Sequence, residues 1–336
     1  MGTMQITRIG PGASLQDLGR PGWLAQGLSR GGAADRLAVY EGAALLGQSA
    51  ALAALELPGA GGVFVFEQDT RVALTGAPMD ASVGGRSMAW NASHLVSSGA
   101  PLTLGAIRAG VYGYLHVGGG FDAPPSLGGR AAQFTAGLGT ALQAGDRVRL
   151  GADGAATTGY ALDVTPRFNG GTVRVVSSLQ TSMYGAETVN RFAKTIFTRD
   201  TRANRMGVRL NSDGEGFLVE GGLSVLSEVI TPGDIQVTGD GAPYVLMSEC
   251  QTTGGYPRIA TVLPADLPRV AQTPLGAKVC FEFVTLDEAV DIERRVQTAR
   301  STLALGLTPL IRDPHDISDL LSYQLISGVV AGDEDT

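Results

Sequence analysis

The sequence predicts a mainly β chain of the α+β class, divided into two strand-rich domains and closed by helices near its C-terminus. Three observations carry this. Glycine supplies 48 of the 336 residues while aromatics are only 6%, a mix that suits many short strands joined by tight turns better than a helical bundle. Short apolar or alternating runs recur between glycine clusters. A thin stretch rich in Gly, Ala, Thr and Asp, from Gly151 to Asn169, separates two such regions and reads as a linker. The domains are therefore expected at 1–160 and 165–300, with a helical tail at 301–336.

In chain order, Asp35 is placed to cap a first helix, with Leu37, Tyr40, Ala44 and Leu45 at helical spacing behind it. Residues 63–66, 71–75, 111–117 and 146–150 read as strands, punctuated by Gly59–Gly62, Gly84–Gly85 and Gly118–Gly120. Strands resume at 172–176, 217–219, 234–238, 244–247 and 279–284. The turns Leu142–Val148 and Leu275–Val279 echo one another, each a glycine turn launching an alternating strand, which suggests two related β domains. After residue 284 the period changes. Thr285-Leu286-Asp287-Glu288 is a capping box, with Ala289, Ile292, Val296 and Ala299 along one helical face. A further helix is expected from Asp313 and Pro314, burying Ile317, Leu320 and Leu321.

Composition excludes several functions. A net charge of -7 gives no basic footprint for nucleic acid or an anionic membrane. No apolar run approaches the ~20 residues of a membrane span, and Met1 to Pro11 holds no leader-like apolar core, so the chain is expected to be cytoplasmic. On that reading Asn91-Ala92-Ser93 is a chance match to the glycosylation pattern. Lys194 and Lys278 are the only lysines. Neither follows a glycine, which excludes a Walker A loop, and neither lies in the methionine-flanked hairpin that carries biotin. Cys250 and Cys280 form no metal-ligand pair, the three histidines lack ligand spacing, and no metal is expected. Gly118–Gly120 lacks the full dinucleotide fingerprint.

The densest polar run is Glu249-Cys250-Gln251-Thr252-Thr253-Gly254-Gly255-Tyr256-Pro257-Arg258, directly after the apolar strand Tyr244 to Met247. It brings an amide, two hydroxyls, a phenol, a carboxylate and a guanidinium to one strand end. Gly254 and Gly255 would let the backbone approach a bound group, a set suited to holding an amide or ureido group and its oxyanion. A polar turn satisfying its own backbone is the plainer alternative. A second cluster joins Leu15–Gly22 to Gly27–Asp35; within it Asp17 and Arg20 read as an ion pair shaping a loop, and Asp35 as a helix cap. Gly27-Leu28-Ser29-Arg30-Gly31 fits the G-x-S-x-G elbow, but Gly22 to Gln26 is a poor strand. Of the histidines, His94, His116 and His315, the second reads as a packed core residue.

Five segments, in order, resemble the signatures of the biotin-dependent carboxyltransferase family, also called allophanate hydrolase subunit 2-like. They are Gln16–Arg20 with Ser29–Asp35, Tyr114–Asp122, Arg205–Leu210, Pro232–Val237 and Gln251–Val262. The match runs from about residue 5 to 285. Three positions depart from the family pattern: Glu249 stands where Asp is usual, Ser178-Leu179 replaces Gly-Pro, and Ala131-Ala132 replaces Ser-Thr. The resemblance implies two cyclophilin-like β-barrel domains with a site at their interface. Stand-alone members of this family act as the C subunit of ATP-dependent 5-oxoprolinase, opening 5-oxoproline to glutamate with the A and B subunits. On that resemblance ATP is used within the complex, and biotin is not carried on this chain. Gln251, Thr252, Thr253 and Tyr256 would hold the amide and its oxyanion, and Asp17, Asp35 or Glu249 would accept a proton. Arg20 and Arg258 would pair with a substrate carboxylate or phosphate, with Ser29, Gln236, Gly254 and Gly255 lining the pocket. Two alternatives stay open: a carboxyltransferase acting on an amide or urea with carboxybiotin from other proteins, and a non-catalytic regulatory partner of a protein resembling the B subunit.

Overall fold

The computed structural model describes residues 2–219 and 225–311. In the first half, two sheets face one another. One holds six strands in the order Arg147–Arg149, Thr3–Ile9, Gly62–Phe66, Pro101–Ile107, Met79–Val83 and Arg86–Ser87. The other holds seven, in the order Ser14–Gln16, Ala54–Pro58, Tyr112–Val117, Thr70–Gly76, Ala92–Val96, Tyr160–Leu162 and Leu307–Pro309. Met4, Ile6, Leu55, Phe64, Phe66, Val72, Leu74 and Leu115 fill the space between them. Gly62–Phe66 alternates between buried and half-buried residues, as a strand with one covered face should. Thr70–Gly76 and Tyr112–Val117 are buried at every position. Their outer faces are covered by helix α1 (Arg36–Leu46), capped by the Asp35 side chain at Ala38 N as the sequence predicts.

The second half is a closed barrel of seven strands: Gly171–Val176, Arg258–Val262, Asp234–Val237, Pro243–Leu246, Gly207–Asn211, Phe197–Ala203 and Lys278–Phe283. A parallel pairing of Gly171–Val176 with Lys278–Phe283 closes it. Phe192, from helix α2 (Ala186–Lys194), packs among Phe197, Phe217 and Phe281 with ring centroids 4.9–5.5 Å away. Helix α3 (Leu267–Gln272) turns Gln272 toward the first half, where its Oε1 accepts from Val111 N and Tyr112 N. Helix α4 (Leu286–Ser301) starts at the Thr285–Glu288 capping box.

Several expectations need correction. Residues 217–219 form no strand: Phe217 and Val219 are buried one by one from an irregular segment, and an apolar run in sequence does not tell the two apart. The segment 151–169 is more than a linker, since Tyr160–Leu162 is a sheet strand and Arg167 is buried. Along α4, Ala289 and Ile292 are buried against the barrel, but Val296 is half-buried and Ala299 exposed. The helix is crossing back toward the first half, where Leu303 and Leu307 pack on Leu45, Leu46 and Leu162. Leu307–Pro309 is then a strand antiparallel to Tyr160–Leu162, where helix was expected. The helix predicted from Asp313 lies outside the described residues.

The two halves share one core. Ala33, Ala34, Ala38, Val39, Tyr112 and Tyr114 of the first join Val208, Ile235, Val245 and Ile259 of the barrel in a single buried cluster. Small residues on the buried face of α1 permit this approach. Within the first half, α1 also packs tightly on its own sheet, as Gly42 shows. A mid-helix glycine costs about 1 kcal/mol relative to alanine, yet a Cβ here would lie 2.3 Å from the His116 ring. Thr75 Oγ1 donates its one hydrogen to Ala38 O, so His116 Nε2–H donates to Thr75 Oγ1 at 2.8 Å. His116 is thus the packed core histidine that the sequence suggests.

Two outcomes follow from this packing. Gly42→Ala, which helix propensity alone would call stabilising, should lower unfolding free energy by about 1–3 kcal/mol through overpacking; a gain in the denaturant midpoint would refute the contact. Burial also holds the His116 imidazole down at about 3, so the folded protein refuses a proton that the unfolded chain accepts below about 6.5. Stability should therefore fall as pH drops from 6.5 toward 3. At pH 4.5 the loss from this residue is about 2–3 kcal/mol. Urea titrations of wild type and His116→Gln at pH 7 and 4.5 measure it, and equal losses in both proteins would show that His116 is not the cause.

Candidate functional site

Between the halves runs a chain of buried polar groups. Arg205, in the turn before strand Gly207–Asn211, stands at its centre. Its Nε donates to Glu249 Oε1 at 2.6 Å, its Nη1 to Glu56 Oε1, and its Nη2 to Gln16 Oε1 at 3.2 Å and Gly32 O at 2.5 Å. Glu56, Gln16 and Gly32 belong to the first half and Glu249 to the second, so one guanidinium ties both. Burial opposes its charge, but Glu56 and Glu249 more than offset this and raise its pKa above the ordinary value.

From Glu56 the network continues inward. Glu56 Oε2 accepts from Ala34 N at 2.8 Å and from the Tyr114 hydroxyl at 2.7 Å, and that hydroxyl accepts from Asp35 N. Asp35 Oδ2 accepts from Arg167 Nε at 2.7 Å and from Gln272 Nε2 at 2.9 Å. Arg167 also makes a two-pronged pair with Glu41, at 2.8 and 2.7 Å. Burial raises the Tyr114 pKa far above its ordinary value, and it raises that of Glu41 against the pull of Arg167. The structure thus places Asp35 and Glu249, both predicted proton acceptors, on one network whose joints are Arg205, Glu56 and Tyr114.

Beyond Glu249 the chain turns outward. Thr253–Gly254 pairs with Glu228–Val229 in a small two-stranded ribbon. Its base is rigid. Arg258 is almost fully buried, with Nη2 on Glu228 at 2.5 Å, Nη1 on Val229 O and Asp234, and Nε on Gln180 Oε1. Gln180 Nε2 donates in turn to Glu228 Oε2 at 2.9 Å, and Gln236 Nε2 donates to Tyr256 O at 3.3 Å. At Gly254 a Cβ would sit 2.7 Å from Gln236 Nε2 and 3.0 Å from the Ile230 side chain, so a larger residue here would push Gln236 off Tyr256 O. Above this base, Gln251, Thr253 and Tyr256 are exposed and Thr252 half-buried. None of these four side chains has a hydrogen-bond partner among the described residues. They form a lip of free amide, hydroxyl and phenol groups on a fixed support. Beneath it, burial pushes the Cys250 thiol up to about 12, so it stays protonated near neutral pH.

Other predicted residues have structural work. Asp17 accepts from Gly19 N at 2.7 Å and Arg130 N at 2.6 Å, and it makes no ion pair with Arg20. Arg20, 1% exposed, donates to Ser126 O, Gln133 Oε1 and Ala131 O, and burial lowers its pKa. The sequence puts the two charges three residues apart, but turn geometry sends Asp17 to backbone N–H groups and Arg20 to backbone carbonyls and the Gln133 amide oxygen. Ser29 is buried, accepts from Gln133 Nε2 at 2.9 Å, and follows a 3-10 turn (Leu24–Gln26), so the elbow motif has neither its strand nor an exposed hydroxyl. His94 Nε2 meets Ala89 O and His116 faces Thr75; His315 lies outside the described residues. Of the departures from the family pattern, Ser178 Oγ donates to Arg258 O at 2.6 Å, Leu179 is exposed, and Ala131 and Ala132 are buried. Among the described residues no group of three His, Cys, Asp or Glu side chains is placed to hold a metal ion.

Sequence reading missed Glu56, Gln133, Arg167 and Gln180, and gave Tyr114 and Arg205 no role. One signal was available: Glu56 is a lone charge inside the apolar run Ala51 to Pro58, and such a residue needs a buried partner. The Arg205 arrangement has a measurable consequence. Arg205→Met should leave Glu56 and Glu249 buried without a counter-charge and cost about 3–5 kcal/mol of unfolding free energy. A loss under about 1 kcal/mol in denaturant titration would mean that Arg205 does not hold the halves together.

Comparison with known proteins agrees with this architecture. Residues 26–283 match the family described as carboxyltransferase domain, subdomain A and B. A Haemophilus influenzae protein named as the C subunit of 5-oxoprolinase is 33% identical over 287 residues, covering 84% of this chain and 92% of that protein. Its Escherichia coli namesake is 32% identical over 309 residues, covering 90% and 98%. The crystal structure of the Kluyveromyces lactis urea carboxylase superposes with a TM-score of 0.80 at 21% identity, over 93% of this chain and 31% of that one. At that identity the likeness bears on fold alone, and the chain spans under a third of that structure. The barrel, the ordered segments and the two near full-length relatives together show that this chain belongs to the carboxyltransferase family of subdomains A and B.

Proposed function

We propose that this chain is the C subunit of an ATP-dependent 5-oxoprolinase, opening the lactam of 5-oxoproline to L-glutamate together with subunits of the A and B types. The observation that carries this reading is the match to two proteins named as the C subunit of 5-oxoprolinase, along 92% and 98% of their lengths. The geometry of the lip supports it. A lactam presents one carbonyl oxygen and one N–H in a plane, and the Gln251 amide can donate to the first while accepting from the second. The Thr252, Thr253 and Tyr256 hydroxyls are further donors for an oxygen that gains negative charge as the ring carbon is attacked.

A lactam is a weak electrophile. ATP, when bound in the complex, would supply a phosphoryl group to the lactam oxygen. One water then adds to the ring carbon and the C–N bond breaks as the nitrogen takes a proton, leaving an acyl phosphate; a second water cleaves this to the glutamate carboxylate and free phosphate. Glu249 is the carboxylate nearest the lip in sequence, and its pairing with Arg205 keeps it oriented. In this reading it is the proton acceptor for the attacking water, while Asp35, held by Arg167 and Gln272, positions the network behind it.

Glutamate release from 5-oxoproline by the co-expressed complex, with and without ATP, tests the function. Release should require ATP and should vanish when this chain is omitted. Gln251→Ala should lower turnover on the order of 10²-fold, as loss of one oxyanion donor does. Full turnover without this chain would end the proposal, and full turnover by Gln251→Ala would remove that residue from the site. A biotinylated carrier co-purifying with the complex, in place of ATP-dependent release, would instead favour carboxyl transfer.

A further inference from the structure

Among the described residues six of the buried or half-buried arginines, Arg71, Arg167, Arg174, Arg205, Arg209 and Arg258, each form a salt bridge with a carboxylate. Three arginines around one cleft do not. The cleft lies at the joint of the halves, with a cavity of about 160 Å³ lined by Arg30, Arg36, Tyr40, Ser248 and Arg300 among others. Arg30 Nε and Arg36 Nη2 both donate to Leu18 O, at 3.0 and 2.7 Å, which fixes the two side by side. Arg300 comes from the end of α4 and lies over the Tyr40 ring, 5.5 Å from its centroid. Among the described residues none of the three forms a salt bridge.

Two further atoms point the same way. Ser248 Oγ and Arg300 Nε are buried and have no hydrogen-bond partner among the described residues. Both residues line the cleft. Like charges gathered together repel: burial, then Arg30 and more weakly Arg300, draw the Arg36 pKa down to about 10, only partly offset by Tyr40 and by the Asp17 carboxylate, which forms no salt bridge with it. An oxyanion would answer every one of these deficits at once, through charge and through the waiting donors.

We propose that this cleft binds the oxyanion of a small molecule, a carboxylate or a phosphate, between Arg36 and Arg300, with Arg30 at its rim and the Ser248 hydroxyl as a neutral donor. Arg20 and Arg258, which the sequence suggested for this task, are occupied by Ala131, Gln133, Glu228 and Asp234. Ser248 is three residues before Gln251, so the segment bearing the lip begins in this cleft. Taking 5-oxoproline as the carboxylate rests on the proposed function; the anion site itself does not.

Titration calorimetry on the isolated full-length chain, without ATP or partner proteins, tests it with inorganic phosphate and 5-oxoproline as probes at low ionic strength. At least one probe should bind with a Kd of about 1 mM or tighter, and Arg36→Met or Arg300→Met should weaken it roughly tenfold or more. Arg300→Lys, which keeps the charge, should retain most of the affinity, and Arg8→Met, outside the cleft, all of it. Arg30 is exposed, so Arg30→Met does not threaten the fold and should still weaken binding severalfold. Binding of 5-oxoproline alone assigns a carboxylate, and binding of phosphate alone assigns a phosphate. No binding of either probe, or unchanged affinity in the Arg36, Arg300 and Arg30 variants, overturns the site. Because the readout is binding by this chain alone, that failure leaves the turnover proposal standing, and absent turnover in the complex leaves the anion site standing.

Discussion

One guanidinium, that of Arg205, sets how the two halves meet. It reaches two carboxylates, an amide oxygen and a backbone carbonyl, which only the forked, permanently charged arginine head can do at once. A lysine would supply charge without that geometry. The arrangement is self-enforcing. Glu56 and Glu249 are almost wholly buried acids, so a position of the halves that separated either from Arg205 would leave a largely desolvated charge in a poorly polarisable interior. The shared apolar core makes association favourable, and the charge network selects one arrangement from the many that apolar contact alone would permit.

That selection shapes the site. Glu249 ends the network, and the chain leaves it directly into the lip of Gln251 to Tyr256. Its polar residues fall into two sets. Those beneath, Arg258, Gln180, Glu228, Asp234 and Gln236, satisfy one another and hold the ribbon. Those above have no partner among the described residues and are free to take a ligand. A preorganised donor need not move when charge develops on a substrate, and a fixed base beneath free donors is how a protein arranges this.

Much of the fold was legible in the sequence because glycine turns and alternation are local signals. The strands at 63–66, 71–75, 111–117, 234–238 and 279–284, helix α1 with its Asp35 cap and the Thr285 capping box all depend on neighbours within a few residues. What failed depended on distant residues. Phe217 and Val219 are apolar because the barrel interior lies beside them, whether or not they form a ladder. Arg167 looked like linker because its acids, Asp35 and Glu41, lie more than 120 residues away. For the candidate site the same rule holds. The crowding of polar groups at 249–258 marked the segment. It could not show which charges were already neutralised, so Arg20 and Arg258 looked available when they are scaffold, and Arg36 and Arg300 were passed over.

The return of the chain at Leu307–Pro309 has a consequence for how this protein can be divided. That strand completes the seven-stranded sheet of the first half after the chain has passed through the whole barrel, so sequence order and spatial order disagree about where the first domain ends. A cut at 163–169, just after the neighbouring strand Tyr160–Leu162, would not release two autonomous modules. It would strip the outermost ribbon from one of them and leave Tyr160–Leu162 as a raw hydrogen-bonding border, open to pairing with any extended peptide. In the intact protein that border is sealed, and the sealing strand ends in Pro309, whose nitrogen carries no hydrogen to recruit another neighbour. Gene fusion or shuffling can therefore treat this chain only as an indivisible cassette, whatever its internal two-part look suggests.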